Sequence, residues 1–366
     1  MTLSRLALAA LLCTAAPTAY AQEAAKTGGP AVNRSVFASD TIRSVTAVTQ
    51  VFGRSQNVTA AIVEFSAPLS AAALTPSTFT VDGRTILSVK ATATPDLDAP
   101  AADGPYAIIQ LDPADEGSAT FAPGVDEAPE LIVTLAAPVT MADGSTSAPS
   151  ETGIINTRTR NLIVDDFQPF RFIDPVTGLS LDYNLYIPSG YDPTQTYPLV
   201  MFLHDAGVTG SNPRRVLQQG LGAVAFASPE DQARHPAFVL APQFPVPLAN
   251  DAGQTSVYVE MIPRLLDQLA GTWSVDRDRL YTTGQSGGCM TSIALGVTQP
   301  DLFAGTLCVA GQWNPAVVAP LADDNLWVIV SEDDAKAFPG MTAIMQVLEE
   351  NGAKITRGSL DARAAP

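Results

Sequence analysis

The stretch Arg279-Leu-Tyr-Thr-Thr-Gly-Gln-Ser-Gly-Gly-Cys-Met-Thr-Ser-Ile-Ala-Leu295 decides the fold. Leu280 to Thr283 is a short apolar and β-branched run that reads as a buried strand. Cys289 to Leu295 reads as a helix. Between them lies Gly284-Gln285-Ser286-Gly287-Gly288, a G-x-S-x-G pentapeptide in a strand-turn-helix setting. Such a turn is sharp, and side chains two before and two after the serine would collide with neighbouring elements. Glycine at 284 and 288 suits both places. Ser286 is thereby expected at the top of a sheet, beside a helix N-terminus, as a nucleophile.

The rest of the chain has to supply what such a serine needs. With 366 residues, one large or two moderate domains are expected, and 46% hydrophobic residues suffice for real cores. The net charge is −17, which opposes binding to phosphate backbones and anionic lipid and so disfavours a nucleic-acid partner. Residues 1–21 read as a secretory signal peptide. Arg5 supplies the charge, Leu6 to Ala16 the apolar segment and Ala19-Tyr20-Ala21 the cleavage site. No other stretch is suited to span a bilayer, so a secreted or periplasmic protein without membrane insertion is expected. Cys289 and Cys308 remain after cleavage. They read as buried free thiols, with a disulfide as the alternative that an oxidising compartment permits.

Residues 22–40 form a small, polar, flexible lead-in. From 41 to about 155 the pattern is one of short β runs: Val45 to Phe52, Thr59 to Phe65, Thr78 to Val81, Ile86 to Val89, Ala107 to Leu111 and Leu131 to Leu135. Turn residues bound each run, which predicts an all-β sandwich. The segments Ala61 to Ser70 and Leu74 to Val81 resemble bacterial immunoglobulin-like modules. Asp96, Asp98 and Asp103 lie in a Pro/Ala-rich loop that reads as solvated, because the order of ligands in a calcium loop is absent. The domain boundary is placed near 155, within about ten residues, with strand-like Arg160 to Val164 opening the second domain.

From 156 to 366 strands and helices alternate. Leu199 to Leu203 is continuously apolar, as a parallel strand covered on both faces requires. Val216 to Ala227 reads as helical, though Gly220 and Gly222 weaken it. Ser256 to Trp273 has helical spacing, and Lys354 to Arg357 is expected to begin a last strand.

A serine hydroxyl needs a base, an acid behind the base, and donors for the oxyanion. Tyr197 to Leu203 runs into His204-Asp205-Ala206-Gly207, which resembles the His-Gly-x-Gly oxyanion loop of α/β-hydrolases. Residues 160–357 resemble that fold as a whole, through Tyr186 to Tyr191, Pro198 to His204, Arg279 to Gly288 and Val328 to Asp334. The group they resemble is the secreted esterases and prolyl-oligopeptidase-like predicted peptidases related to polyhydroxybutyrate depolymerases. Some of these carry an N-terminal immunoglobulin-like domain.

The resemblance implies a doubly wound, mostly parallel sheet and an acyl-enzyme on Ser286. It implies oxyanion donors at Ala206 N–H (with Asp205 as the alternative) and Gly287 N–H, and a triad acid at Asp334 (with Asp333 second). A small ester, polyester or peptide is the implied substrate, and no cofactor or metal is implied. Polymer binding by the first domain is suggested by its placement alone.

Two departures stand out. Asp205 occupies a place where glycine is usual. No histidine follows Ser286; the two in the chain are His204, in the oxyanion loop, and His235, between Arg234 and Pro236. The sequence therefore reads as a hydrolase that stops before its histidine loop and final helix, and the chain as written is expected to be nearly inactive. A non-catalytic exported binding protein on a dead hydrolase scaffold is the rival expectation.

Overall fold

The computed structural model describes residues 35–361 except Arg54, so the expected signal peptide and most of the expected lead-in lie outside the described residues. Among the described residues, thirteen strands build the first domain. They are β1 (Ser35–Val36), β2 (Ile42–Val51), β3 (Gln56–Leu69), β4 (Phe79–Val81), β5 (Ile86–Thr92), β6 (Gly104–Leu111) and β7 (Ala119–Ala122), followed by β8 (Val125–Asp126), β9 (Ile132–Leu135), β10 (Val139–Thr140), β11 (Thr146–Ser147), β12 (Gly153–Ile155) and β13 (Arg158–Asn161). One sheet has the order β1-β12-β9-β4 and the other β13-β2-β3-β6-β5. The inward residues alternate along the strands, as period-two side-chain geometry demands. Val45 and Ala47, then Ala61, Val63 and Phe65, then Ala107, Ile109 and Leu111 share one buried core with Phe79 and Leu135 of the facing sheet. Phe65 and Phe79 meet edge to face, 6.2 Å between ring centroids.

The strand expected to open the second domain at Arg160 to Val164 is placed otherwise. Arg158–Asn161 does not open the second domain; it pairs in parallel with β2 from Thr46 to Thr49. The strand is polar and short, so its hydrophobic pattern carried no sign of which sheet it would join. Asn161 ties it in: its side-chain oxygen accepts from Thr49 Oγ1 at 2.8 Å and from Gln56 Nε2 at 2.7 Å.

The second domain is a seven-stranded sheet of β14 (Gln168–Ile173), β15 (Ser180–Tyr186), β16 (Tyr197–Leu203), β17 (Phe238–Gln243), β18 (Val275–Gln285), β19 (Gly305–Val309) and β20 (Leu326–Ile329). The order is β14-β15-β17-β16-β18-β19-β20; β15 runs antiparallel to both β14 and β17, and the remaining pairs are parallel. The helices are α1 (Arg215–Gln218), α2 (Leu221–Val224), α3 (Pro229–Gln232), α4 (Val257–Thr272), α5 (Gly287–Thr298) and α6 (Ala337–Glu350). The helix expected over 216–227 is split into α1 and α2 at Gly220. A Cβ there would lie 2.7 Å from the Gly53 carbonyl oxygen, so glycine lets the first domain's β2–β3 turn approach the break. Val51 of β2 joins Val164, Phe167, Phe202, Val216 and Val239 in a shared apolar cluster. Arg215 reaches back, 5.7 Å over the Phe121 ring and 3.7 Å from Asp126. The strand expected at Lys354 to Arg357 is not formed; Arg357 instead pairs with Glu349 of α6 at 2.8–2.9 Å.

One buried charge anchors the sheet's outer hairpin. Asp174, after β14, is fully buried and receives Arg264 of α4 at 2.5 and 2.9 Å, with Thr177 closing the site. The Arg264 hydrogen bonds hold its carboxyl well below the usual carboxylate range, against the opposing effect of desolvation. A depressed folded-state pKa contributes stability above the unfolded value near 3.8 that is lost as pH falls through the folded value. Asp174→Asn is therefore expected to lower Tm by several degrees at pH 7 and to flatten the acid limb of a Tm-versus-pH curve below pH 4. An unchanged acid limb would remove this pair from the account.

The sheet's two faces are covered unequally. Leu199, Met201 and Leu280 lie under α4, and Cys308, Leu326 and Val328 under α5 and α6. On the opposite face α1 and α2 cover β16 and β17, but at β20 Trp327 is 70% and Ile329 51% exposed. No described element lies over them. An apolar edge strand of this kind favours association. Replacing Trp327 with Ser and Ile329 with Thr is expected to lower dye binding by exposed apolar surface and raise the monomeric fraction in sizing chromatography. Stability should change by no more than about 0.5 kcal/mol, because neither side chain is buried.

Candidate active site

Ser286 sits between β18 and α5 with φ 52° and ψ −114°, a conformation that costs a non-glycine residue on the order of 1–3 kcal/mol. The surroundings hold it there. Ser286 N–H donates to the Val309 carbonyl at 2.9 Å, and its own carbonyl accepts from Met290 N–H at 3.0 Å, starting α5. A Cβ on Gly284 would lie 2.5 Å from the Gly288 oxygen. One on Gly288 would fall onto the Leu203 carbonyl, 2.6 Å from its carbon and 3.1 Å from the His204 oxygen. Both glycines are thus required by backbone contact between β16, β18 and α5. Ser286 is exposed, at the C-terminal edge of the parallel strands, while Gly287 and Gly288 are buried.

The end of β16 brings the second half of the site. Ala206 N lies 3.8 Å from where a Gly287 Cβ would stand, so the two proposed donors are neighbours. Neither Ala206 N–H nor Gly287 N–H has a hydrogen-bond partner among the described residues. The Asp205 carboxylate has partners within the loop and on Gln285. Its Oδ1 accepts from Gly207 N–H at 2.7 Å, capping the 3₁₀ turn Ala206–Val208, and its Oδ2 is 3.4 Å from Gln285 Nε2. The carboxylate in the place where glycine is usual is therefore spent on shaping the loop. Asp205 N–H, the alternative donor, likewise has no hydrogen-bond partner among the described residues.

His204 is fully buried. Phe244 N–H donates to its Nε2 at 3.0 Å, so Nδ1 carries the proton and donates to the Asp205 carbonyl at 2.7 Å. Burial lowers its pKa, which keeps it neutral. It pins the loop between β16 and β17 and offers no free nitrogen to Ser286. His235 follows α3, is exposed, and pairs with Asp231 at 3.0 Å. It precedes β17, whereas Ser286 follows β18, so it lies at the opposite edge of the sheet, roughly 17 Å away for a six-residue strand.

Asp334 lies in the loop between β20 and α6. Its Oδ1 accepts from Ala337 N–H at 2.7 Å and Lys336 N–H at 3.0 Å, and these bonds depress its pKa. The other carboxylate oxygen is left for a further partner. Asp333 is exposed, and its N–H donates to Ser331 Oγ at 3.3 Å. No described contact links either carboxylate to Ser286. Cys289 and Cys308 are both buried free thiols, and Cys308 Sγ lies 3.7 Å from the Cys289 carbonyl.

Three features escaped the sequence. Gln285 Nε2 donates to Asp205 Oδ2 at 3.4 Å, joining the turn to the loop after β16. Gly311 presses against Cys289 and the Ser286 carbonyl, where a Cβ would come within 3.0 Å of that oxygen. Asp251 joins the 250s loop to Lys336 at 2.6 Å and to Gln312 at 3.4 Å beside the α6 entry. All three are contacts across long sequence separations, with no local pattern to reveal them. Among the described residues, no group of His, Cys, Asp and Glu is arranged to hold a metal ion, and no helix is long and apolar enough to cross a membrane. Of the aspartates in the Pro/Ala-rich loop, Asp103 caps Ala71 N–H at 2.8 Å and Asp96 accepts from Asp98 N–H.

Comparison with known proteins agrees with this geometry. Residues 44–150 match the family described as the esterase Ig-like N-terminal domain. A Nocardia uniformis subsp. tsuyamanensis protein named "Putative esterase NocK" is 30% identical over 177 residues, 46% of this chain. The chain spans about half (49%) of the length of that curated relative. The crystal structure of a thermostable esterase superposes with a TM-score of 0.80 at 29% identity, covering 85% of this chain and 89% of that one. The sheet order, the strained serine between β18 and α5, and these likenesses together give the chain an α/β-hydrolase fold similar to that of esterases, preceded by an immunoglobulin-like domain.

Proposed function

We propose that this architecture hydrolyses carboxylic esters through an acyl-enzyme on Ser286. The observation that carries the reading is the strained, exposed Ser286 beside two unpartnered amides, Ala206 N–H and Gly287 N–H. Ser286 Oγ attacks the ester carbonyl carbon and gives its proton to a base. The carbonyl oxygen takes up the negative charge and is stabilised by the two N–H groups, each worth roughly 3–4 kcal/mol in such sites. Collapse expels the alcohol, which takes the proton back from the base. Water then repeats the sequence on the acyl-enzyme and releases the acid. Asp334, with one oxygen uncommitted, is the carboxylate assigned to orient the base.

The base itself is what these 366 residues do not bring to Ser286, since His204 is walled in and His235 is remote. The polypeptide is accordingly proposed to be nearly inactive on its own. The rival reading, a binding protein on a hydrolase scaffold, rests on that same observation. A base supplied in trans separates the two. Added imidazole should restore Ser286-dependent hydrolysis of p-nitrophenyl acetate if the oxyanion site is competent, and should not if the scaffold is dead. Small esters are the proposed substrates. Export to a secreted or periplasmic location is proposed from the signal-like residues 1–21.

A further inference from the structure

The outer face of the first domain's larger sheet is built unlike a solvent face. A sandwich strand normally alternates core residues with outward polar ones. Here the outward Val48, Ala60, Ile62 and Ile108 are buried. The cover is the 93–103 segment between β5 and β6, which brings Leu97 onto this face. Lys90 Nζ pins that segment by donating to the Leu97 and Ala99 carbonyls, each at 2.7 Å, and Arg160 Nη1 donates to the Pro95 carbonyl at 3.3 Å. Between the segment and β13 runs an open groove of about 200 Å³.

The strand register dictates what lines it. Arg158 of β13 stands beside Thr46 of β2, which stands beside Ile62 of β3. One step along, Ser44, Glu64 and Tyr106 form the next row. Arg160 lies two residues from Arg158 on the same face, because side chains alternate along a strand. In a chain of net charge −17, two guanidinium groups share this groove, and neither has a carboxylate partner among the described residues. Among the described residues the Arg158 guanidinium makes no hydrogen bond, and that of Arg160 makes only the one to Pro95. Glu64, the one acid in the groove, is already engaged: it accepts from Ser44 Oγ at 3.0 Å and lies 3.9 Å from Arg43.

We propose that this groove binds a hexuronate residue of an acidic polysaccharide. The two arginines take the ring carboxylate, a planar acceptor that suits the guanidinium fork. Tyr106 and Pro95 offer flat surface to the ring, and Glu64 accepts a sugar hydroxyl. The volume suits a single sugar ring rather than a drug-sized ligand. The groove is open at the surface, so a chain can run through it. The site is separate from Ser286 and does not depend on how that serine reacts.

The test is titration calorimetry on the full 366-residue chain with trigalacturonate, its neutral counterpart galactotriose, galacturonate monomer, and benzoate. The expected result is measurable trigalacturonate binding that weakens as salt rises, at least tenfold weaker binding in the Arg158→Ala/Arg160→Ala double variant, and none for galactotriose. Monomer should bind more weakly than trimer. Both arginines are exposed, so an unchanged melting curve is expected to show that the variant is folded. The proposal is overturned if the double variant binds as tightly as the parent, or if galactotriose or benzoate binds as tightly as trigalacturonate. Equal binding of monomer and trimer would overturn the polysaccharide as the source. Absence of any trigalacturonate binding at low salt would overturn the site.

Discussion

The 366-residue polypeptide is expected to hydrolyse p-nitrophenyl acetate only weakly, no more than about 10³–10⁴-fold above water, the residue of catalysis left when a triad member is missing. Ser286→Ala should lower that background by less than about tenfold. Imidazole at tens of millimolar should then raise the Ser286-dependent rate about tenfold or more, recovering part of the 10²–10⁴-fold that a positioned general base contributes. The Ser286→Ala variant measured in the same imidazole corrects for the direct reaction of imidazole with the ester. The physical ground is the pair of histidine environments. His204 spends both nitrogens on the Phe244 amide and the Asp205 carbonyl, and His235 is at the wrong edge of the sheet. Fast turnover without imidazole that vanishes in Ser286→Ala would show that some other group acts as the base.

Gly288→Ala is expected to be the most damaging single methyl in the second domain. The added carbon would occupy the space of the Leu203 carbonyl, so α5 must move off β16. Overpacking of this kind costs about 1–3 kcal/mol. The shift also separates Gly287 N–H from Ala206 N–H, and a displacement of about 1 Å costs on the order of 10²-fold in rate. Imidazole-rescued hydrolysis should therefore nearly disappear while circular dichroism remains native-like. Gly271→Ala is the matched control. It lies near the end of α4 with nothing within 4 Å of a new Cβ, and should stabilise by about 0.4–1 kcal/mol without touching the rescued rate. Rescue retained in Gly288→Ala would mean that the turn tolerates relaxation the backbone contacts do not allow.

Local patterns made much of this molecule legible before any tertiary structure. Val45 to Phe52 and Ile86 to Val89 correspond to β2 and β5 within a few residues, because alternation and turn residues are local properties. Ser256 to Trp273 became α4 over Val257–Thr272 for the same reason. The polar pieces were harder. Val139–Thr140, Thr146–Ser147 and Arg158–Asn161 are strands only because a neighbouring edge completes their hydrogen bonds. Lys354 to Arg357 shows the converse: its β-prone residues have no described edge to pair with, and the segment stays irregular while Arg357 finds Glu349.

The pentapeptide Gly284 to Gly288 by itself determined the turn, its strand and its helix, since those follow from steric limits on a few adjacent residues. The count and positions of histidine were likewise readable directly. Only the tertiary structure decided that Asp205 accepts from Gly207 and lies against Gln285. It alone showed that His204 is locked as a neutral scaffold, and that Asp334 spends one oxygen on the start of α6. Each of those outcomes depends on a partner supplied by folding, from two to eighty residues away, and a side chain's orientation is set by which donors and acceptors the fold brings within about 3 Å of it.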